Sequence, residues 1–136
     1  MRPSDLEERY LRDIEVRHPQ TVYREMRDIK DWGKEVCVVF CLDSRNRIIS
    51  REIVSIGTLN ANIIHPREVF RTAITRNANA IIICHNHPSG GLEPSDEDTK
   101  MTKRLSDAGD ILNIKMLDHL IVTRDGYFSF QEEGKL

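Results

Sequence analysis

Two histidines, a serine and an aspartate are the residues of this sequence whose types and spacing best suit catalysis. His85 and His87 follow an apolar segment at 80–84, and one residue separates them. Because side chains two apart in a β-strand point to the same face, both imidazoles should be able to bind the same metal ion. Ser95 and Asp98 begin the next element after a glycine-containing turn. Two imidazoles and a carboxylate leave one position of tetrahedral Zn²⁺ open, as in catalytic rather than structural zinc sites.

Ser95 and Asp98 also fit a purely structural interpretation. Ser-x-x-Asp before an amphipathic segment is a capping box, and an acid in the first turn interacts favourably with the helix dipole. Capping does not account for the two neighbouring histidines, however. We therefore expect His85, His87 and Asp98 to bind a metal ion. Ser95 can serve both roles if its backbone begins the helix while its hydroxyl faces the open coordination position.

Other metal-dependent chemistries fit the sequence less well. His-Asn-His is here three consecutive residues, whereas the letters of the HNH nucleases stand for residues spread over tens of positions. The zinc-deaminase pattern with P-C-x-x-C is absent, and so is H-E-x-x-H. The three cysteines lie in apolar segments, where they are expected to be small buried hydrophobic residues rather than ligands: Cys37, Cys41 and Cys84.

Length and composition predict one soluble globular domain. The chain has 136 residues, of which 39% are hydrophobic and 31% charged. No apolar run is long enough to cross a bilayer, and the charged start lacks the apolar core of a signal peptide. We therefore expect a cytoplasmic protein without membrane contact. A net charge of −2 argues against direct binding of nucleic acid, which usually requires a basic surface.

The elements that must position the histidines follow from the spacing of apolar residues. An α/β sandwich with a mixed sheet is predicted for residues 31–136, preceded by a helical arm at 1–30 in which Ser4 can cap a first helix and Pro19 interrupts the run. The predicted elements are strands at 36–42 and 48–56, a short extended piece at 61–64, a helix at 66–77, a strand at 80–84, a helix at 95–108, and strands at 113–123 and 127–130.

The spacing of the candidate ligands resembles a known motif. H-x-H, seven residues, Ser, two residues and Asp is similar to the JAMM motif of the MPN-plus metalloproteases. Longer strings resemble the RadC family over roughly residues 33–123. These strings are Gly57-Thr58-Leu59-Asn60, His65-Pro66-Arg67-Glu68-Val69-Phe70, His85-Asn86-His87-Pro88-Ser89-Gly90, Pro94-Ser95-x-x-Asp98 and Asp118-His119-Leu120-Ile121.

The resemblance implies a cytidine-deaminase-like α/β sandwich, and the elements predicted above, with the helical arm, have roughly the order α-β-β-α-β-α-β-β. It implies Zn²⁺ held by His85, His87 and Asp98, with water completing the tetrahedron. It also implies hydrolysis of a peptide or isopeptide bond through that zinc-bound water, with Ser95 stabilising the oxyanion. Typical members carry an N-terminal helix-hairpin-helix region, and this chain resembles the short form with the JAMM domain only. The family name refers to DNA repair, a role that no residue of this sequence shows.

A JAMM enzyme also requires a glutamate that is not a ligand. This glutamate takes a proton from the attacking water and passes it to the leaving amine. Glu35 matches its place in the wider motif, directly ahead of the first sheet strand, although an isolated acid there is usually a solvated charge. Glu68 is the competitor, but it also fits an ordinary first helical turn, and Glu52 in the second strand could face either way. We predict Glu35 as the general base.

Two further residues and the function itself allow alternatives. Asp118 and His119 could orient a ligand near the metal, or His119 could be a buried structural histidine.

The leading hypothesis is a zinc hydrolase acting on a protein or peptide. The alternatives are a non-catalytic, zinc-stabilised interaction module associated with DNA repair or replication and, with less support, a phosphodiester hydrolase. Specificity is expected in the loops at 57–64 and 88–94 and in the arm, and an exposed strand edge could form a homodimer.

Overall fold

The structure, a computed structural model, describes residues 10–57 and 64–136. The predicted helix cap at Ser4 and most of the extended piece at 61–64 lie outside these residues. Residues 10–12 are helical, and the order of the remaining elements agrees with the prediction from sequence. These elements are α1 (Pro19–Arg24), β1 (Val36–Leu42), β2 (Ile48–Ile56), α2 (Pro66–Thr75), β3 (Ala80–Asn86), α3 (Asp96–Leu112), β4 (Lys115–Thr123) and β5 (Gly126–Ser129).

The strands form one mixed sheet in the order β2-β1-β3-β4-β5. β1 runs antiparallel to both β2 and β3, β3 runs parallel to β4, and β4 runs antiparallel to β5. A parallel pair needs a crossover connection, which α3 supplies between β3 and β4. The predicted mixed α/β sandwich is thereby confirmed. The homodimer through a sheet edge stays a prediction.

Hydrophobic layers cover both faces of the sheet, so the central strands are buried on each side. Val38 and Phe40 of β1 face a layer that includes Val22 and Met26 from the N-terminal region. The intervening side chains of β1 face α2 and α3 instead. Continuous burial of this kind explains why β1 reads as an uninterrupted apolar run. The described part of the predicted arm, residues 10–30, shares its core with the sheet, and a boundary near residue 30 stays a prediction.

β3 and α3, the two elements that carry the candidate ligands, are both longer than predicted. β3 continues through Asn86 because its last residues pair with β4 as well as following the register of β1. α3 does not end near Ala108, because Gly109 lies inside the helix and the chain turns only at Asn113, which has a left-handed φ of 60°. Gly109 packs closely: a Cβ there would lie 2.5 Å from the Ile114 carbonyl oxygen. Within the residues described, no helix has both the length and the apolar character needed to cross a membrane.

Candidate metal centre

β3 and α3 bring the three predicted ligands together at the end of the sheet. His85 is fully buried in β3, His87 lies just beyond the strand, and Asp98 lies in the first turn of α3. The Nε2 atoms of His85 and His87 are 3.0 Å apart, and each lies 3.2 Å from a different carboxylate oxygen of Asp98. One ligand atom from each residue lies within 4.8 Å of the others. This buried group could therefore hold a metal ion.

The proton on His87 is assigned by its contact with the following turn. His87 Nδ1 lies 2.8 Å from the carbonyl oxygen of Gly91. A carbonyl oxygen can only accept, so Nδ1 must carry the proton and Nε2 of the neutral ring has a lone pair. The turn that brings Gly91 back to the ring includes Gly90, whose φ of 88° favours glycine. The glycine-rich string after His87 thus orients the ring.

A chain of buried hydrogen bonds makes the same assignment for His85. The Thr102 hydroxyl donates to the carbonyl oxygen of Asp98 at 2.7 Å. With its proton used in that bond, the hydroxyl accepts from Nδ1 of His119 at 2.5 Å. His119 Nε2 is then the acceptor for Nδ1–H of His85 at 2.7 Å. As a result, both His85 and His87 direct unprotonated Nε2 atoms at Asp98.

His119 is held as a neutral ring in the core. It is fully buried and stacks on Phe130 with ring centroids 4.7 Å apart. Burial lowers the pKa of His119 well below its ordinary value, and the neighbouring His85 adds to this effect. The Asp118 carboxylate serves the C-terminal turn instead, where it accepts hydrogen bonds from the Ser129 hydroxyl and the Gln131 amide. The group that orients the His119 ring is therefore Thr102 rather than the neighbouring carboxylate.

The charge distribution of the centre favours a cation. Burial opposes ionisation of Asp98, but the hydrogen bonds that His85 and His87 donate when Nε2 takes up a proton outweigh burial and hold the pKa of Asp98 well below its usual range. In the protonated ring, Nε2 of His87 donates a hydrogen bond to Asp98, which raises the pKa of His87 against the effect of burial, and the Glu35 charge adds to the increase. Two nitrogen lone pairs 3.0 Å apart repel each other unless a positive charge lies between them. The donor set therefore fits a divalent metal that prefers imidazole and carboxylate ligands.

Ser95 and Asp98 also form the capping box predicted as the structural alternative. The Ser95 Oγ accepts the Asp98 amide at 3.1 Å, and Asp98 Oδ2 accepts the Ser95 amide at 2.9 Å. The same Oδ2 faces His87, while Oδ1 faces His85. Capping and ligation are thus compatible, because the cap fixes the carboxylate in the orientation that the histidines meet. The role of Ser95 in catalysis stays a prediction.

Glu35 lies directly before β1, the strand that pairs with the histidine-bearing β3. Cys37 of β1 pairs with His85 of β3, and continuing this antiparallel register by two residues places Glu35 beside His87. Directly paired residues share a face of the sheet, so Glu35 belongs to the face that carries the metal group. Glu35 is partly buried, and its charge contributes to the raised pKa of His87. Its assignment as general base stays a prediction.

The two competing glutamates have other partners. Glu68 is 55% exposed in the first turn of α2, where it lies 3.8 Å from Arg67. Glu52 of β2 pairs with Arg76 at 3.3 Å. Both glutamates therefore form ordinary ion pairs, Glu68 at the surface and Glu52 in a partly buried position.

Asn86 is a residue of the site whose role sequence reasoning missed. It lies between the two histidines, is fully buried and faces the opposite side of the sheet. Its Oδ1 accepts the amide of Val36 at 2.6 Å, and its Nδ2 donates to the carbonyl oxygens of Trp32 at 3.2 Å and Lys34 at 2.9 Å. A carboxamide in a buried strand must find hydrogen-bond partners. An asparagine at the end of an apolar strand could therefore have indicated a structural role for Asn86.

An open pocket adjoins the metal group. It has a volume of about 280 Å³ and is bounded by Trp32, His87, the turn at 88–90 and Arg124. Trp32 is 43% exposed, so its indole offers an apolar wall to whatever enters. Of the metal group, His87 is the residue that contributes to the lining of this pocket.

The fold and the site define a class of protein, a mixed α/β domain of the JAB/MPN type with a His-His-Asp group that could hold a metal ion. Within that class, the family described as a RadC-like JAB domain matches residues 16–135. The chain belongs to this family.

Individual relatives agree with the family assignment. A UPF0758 protein of Thermotoga maritima is 47% identical over 115 residues, covering 85% of this chain and 52% of the relative. The UPF0758 protein SH1266 of Staphylococcus haemolyticus is 45% identical over 133 residues, covering 94% of this chain and 58% of the relative. The chain thus spans about half the length of the curated relatives it matches. The names of these relatives state no reaction.

Proposed function

We propose that this protein is a zinc-dependent hydrolase of the JAMM type that cleaves a peptide or isopeptide bond. The observation that carries the proposal is the convergence of two imidazole nitrogens and one carboxylate at a site where His87 also lines an open pocket. His85, His87 and Asp98 would hold the ion. A zinc ion in such a site lowers the pKa of a water molecule toward neutrality and polarises a carbonyl group.

The identity of the metal is argued from the ligands. Imidazole nitrogens suit Zn²⁺ and other first-row transition metals, whereas Mg²⁺ and Ca²⁺ prefer sites built mainly from oxygen. Three protein ligands are typical of catalytic zinc, since structural zinc usually has four. The three-residue group of the described chain therefore supports zinc with one position open to reactants.

Glu35 is proposed to move the proton. Its place beside His87 allows it to accept a proton from the attacking water and to deliver that proton to the leaving amine. The Ser95 hydroxyl, at the exposed start of α3, is proposed to donate a hydrogen bond to the oxyanion.

The substrate is proposed to approach through the pocket beside His87. The turn at 88–90 forms part of its wall and belongs to the loop in which specificity was expected. Trp32 offers an apolar surface that a substrate side chain can cover, and aromatic walls of this kind commonly contribute to recognition.

A non-catalytic, zinc-stabilised interaction module is the second candidate. The observation that favours it is the capping box, because Asp98 already has a structural role at the start of α3. A metal ion held by Asp98 and the histidines would fasten this helix to β3 and stabilise the domain without any reaction. Under this alternative the partner surface would be associated with DNA repair or replication.

The decisive experiment combines metal analysis with cleavage of an internally quenched peptide library and of peptides with a lysine-linked isopeptide bond. We expect one zinc ion per chain and cleavage that stops on chelation and returns with zinc. Glu35→Gln should keep zinc and lose turnover, whereas the matched variant Glu68→Gln should keep both. Full turnover by Glu35→Gln would refute the assignment of the general base. Zinc that raises the melting temperature of a wild-type protein unable to cleave either substrate would establish the non-catalytic alternative.

A further inference from the structure

The side chain of Asn86 fastens the chain segment that precedes β1. This carboxamide is fully buried, and each of its polar atoms has a partner in the backbone of residues 32–36. The pairs between β1 and β3 run from Leu42 and Ala80 to Cys37 and His85. Where the backbone pairing of β1 with β3 ends, the Asn86 side chain therefore connects β3 to the segment that precedes β1.

Two of these hydrogen bonds lie on either side of Glu35. The Lys34 carbonyl belongs to the peptide unit before the Glu35 Cα, and the Val36 amide belongs to the peptide unit after it. A single carboxamide thus anchors both peptide planes that meet at Glu35. Because φ and ψ at a residue are the rotations between its two peptide planes, this arrangement fixes the direction of the Cα–Cβ bond with which the Glu35 side chain begins. The Glu35 carbonyl oxygen is held in addition by the Gly57 amide at 2.8 Å.

We propose that Asn86 is a positioning residue, which sets the Glu35 carboxylate beside His87 through the backbone of residues 34–36. The inference rests on the proposed function, in which Glu35 is the general base. The two histidines would then hold the metal ion on one face of the sheet. Asn86, between them in the sequence, would position the base from the opposite face.

The ligands themselves do not depend on Asn86. The rings of His85 and His87 are oriented by His119 and by the Gly91 carbonyl, respectively. Loss of the carboxamide should therefore leave the affinity for zinc almost unchanged. A displaced base lowers the rate of the chemical step and leaves substrate binding intact, and a misplacement of about 1 Å can reduce turnover about 100-fold.

The test uses Asn86→Ser, whose small side chain leaves room for water to reach the freed backbone groups, and Asn86→Leu, which removes every hydrogen bond at similar volume. We expect the serine variant to bind zinc normally and to lose about 10- to 100-fold in kcat at constant KM. In a Glu35→Gln background the same change should have no further effect, because the residue acts through Glu35. The matched control is Asp43→Ala, which removes two amide contacts from the turn at the other end of β1 and should leave kcat unchanged.

The backbone is measured separately, so that this inference and the proposed function can fail independently. In zinc-loaded Asn86→Ser, a crystal structure should show a displaced Glu35, and the Val36 amide should exchange with solvent at least 10-fold faster, while the Val38 amide should not change. A wild-type protein that cleaves no substrate refutes the proposed function and leaves this measurement intact. An unmoved Glu35 in the variant, or wild-type kcat in the zinc-loaded variant, overturns the positioning role. If Asn86→Leu fails to fold, the serine variant still decides the question.

Discussion

The Nε2 lone pairs of His85 and His87 point to the same place because Nδ1–H of each ring donates a hydrogen bond to its own acceptor. For His87 the acceptor is the Gly91 carbonyl, which the local turn supplies. For His85 the acceptor is His119, whose own proton is directed to Thr102. Metal-binding histidines typically use their second ring nitrogen in this way, since the contact fixes both the tautomer and the orientation of the ring.

His119→Leu should weaken zinc binding about 10- to 100-fold, in line with the loss of outer partners at other metal sites. The physical reason is that the buried Nδ1–H of His85 loses its acceptor and the ring its preferred tautomer. Competition with a chromophoric chelator measures the affinity. Phe130→Leu serves as the control, because it removes the ring stacked on His119 but keeps the hydrogen bonds. Equal zinc affinity in His119→Leu and the wild type would show that this chain of contacts has no influence on the metal.

Asp98→Asn and Ser95→Ala separate the two functions of the capping box. The asparagine keeps an oxygen for the Ser95 amide but loses the negative charge, so we expect zinc binding to be lost while α3 stays capped. The alanine removes the acceptor for the Asp98 amide and should cost about 1 kcal/mol of unfolding free energy with zinc still bound. Chelator competition and urea unfolding measure the two effects. Asp96→Asn, in the same turn, is the control for charge near the helix start. Wild-type zinc affinity in Asp98→Asn would exclude Asp98 as a ligand.

The ligand residues could be predicted from sequence because their relations are local. One intervening residue in a strand places His85 and His87 on one face, and a serine three residues before Asp98 marks the start of a helix. Thr102 and His119 could not be assigned in this way. Their contact joins residues 17 positions apart, and the contact of His119 with His85 joins residues 34 positions apart, so both depend on how α3 and β4 pack.

At the scale of elements, the sequence predicted the bounds of the first two strands but not the end of α3. β1 and β2 have the predicted bounds, since burial on two faces or one is visible directly in their residues. α3 continues four residues beyond the predicted end at Ala108, because Gly109 serves a close contact with Phe70 and Ile114 rather than a helix end. A single sequence cannot distinguish a glycine that ends a helix from one that lets another element approach.

Gly109→Ala should destabilise the protein although alanine is the better helix former. The new Cβ would lie 2.5 Å from the Ile114 carbonyl oxygen and 3.2 Å from the Phe70 ring, so the backbone would have to shift. Overpacking of this kind costs about 1–3 kcal/mol, which outweighs the gain of about 1 kcal/mol from helix propensity. Urea unfolding measures the difference. Asp110→Ala, on the exposed side of the same helix, should change stability by at most about 0.5 kcal/mol. A more stable Gly109→Ala variant would disprove the close contact.

At the scale of the whole molecule, the candidate metal centre joins two layers of the fold. His85 and His87 extend from the sheet, and Asp98 belongs to the helix that covers one face of it. An ion held by all three residues is bound only when these layers are packed together. Binding to the folded state alone stabilises it by mass action, so the stability of the entire domain should depend on the concentration of free zinc.

The three cysteines provide a direct measure of this linkage. Cys37, Cys41 and Cys84 are buried free thiols, and burial raises the pKa of Cys37 to about 12. Since the thiolate is the reactive form, a thiol reagent should label them only after the protein opens. Zinc buffered at about 1,000 times its dissociation constant stabilises the folded state by about 4 kcal/mol and should slow labelling about 1,000-fold when opening is at equilibrium. Labelling is followed by mass spectrometry, with Asp98→Asn as a control whose rate should be the same with and without zinc. A wild-type rate that does not respond to zinc would mean that the ion does not connect β3 to α3.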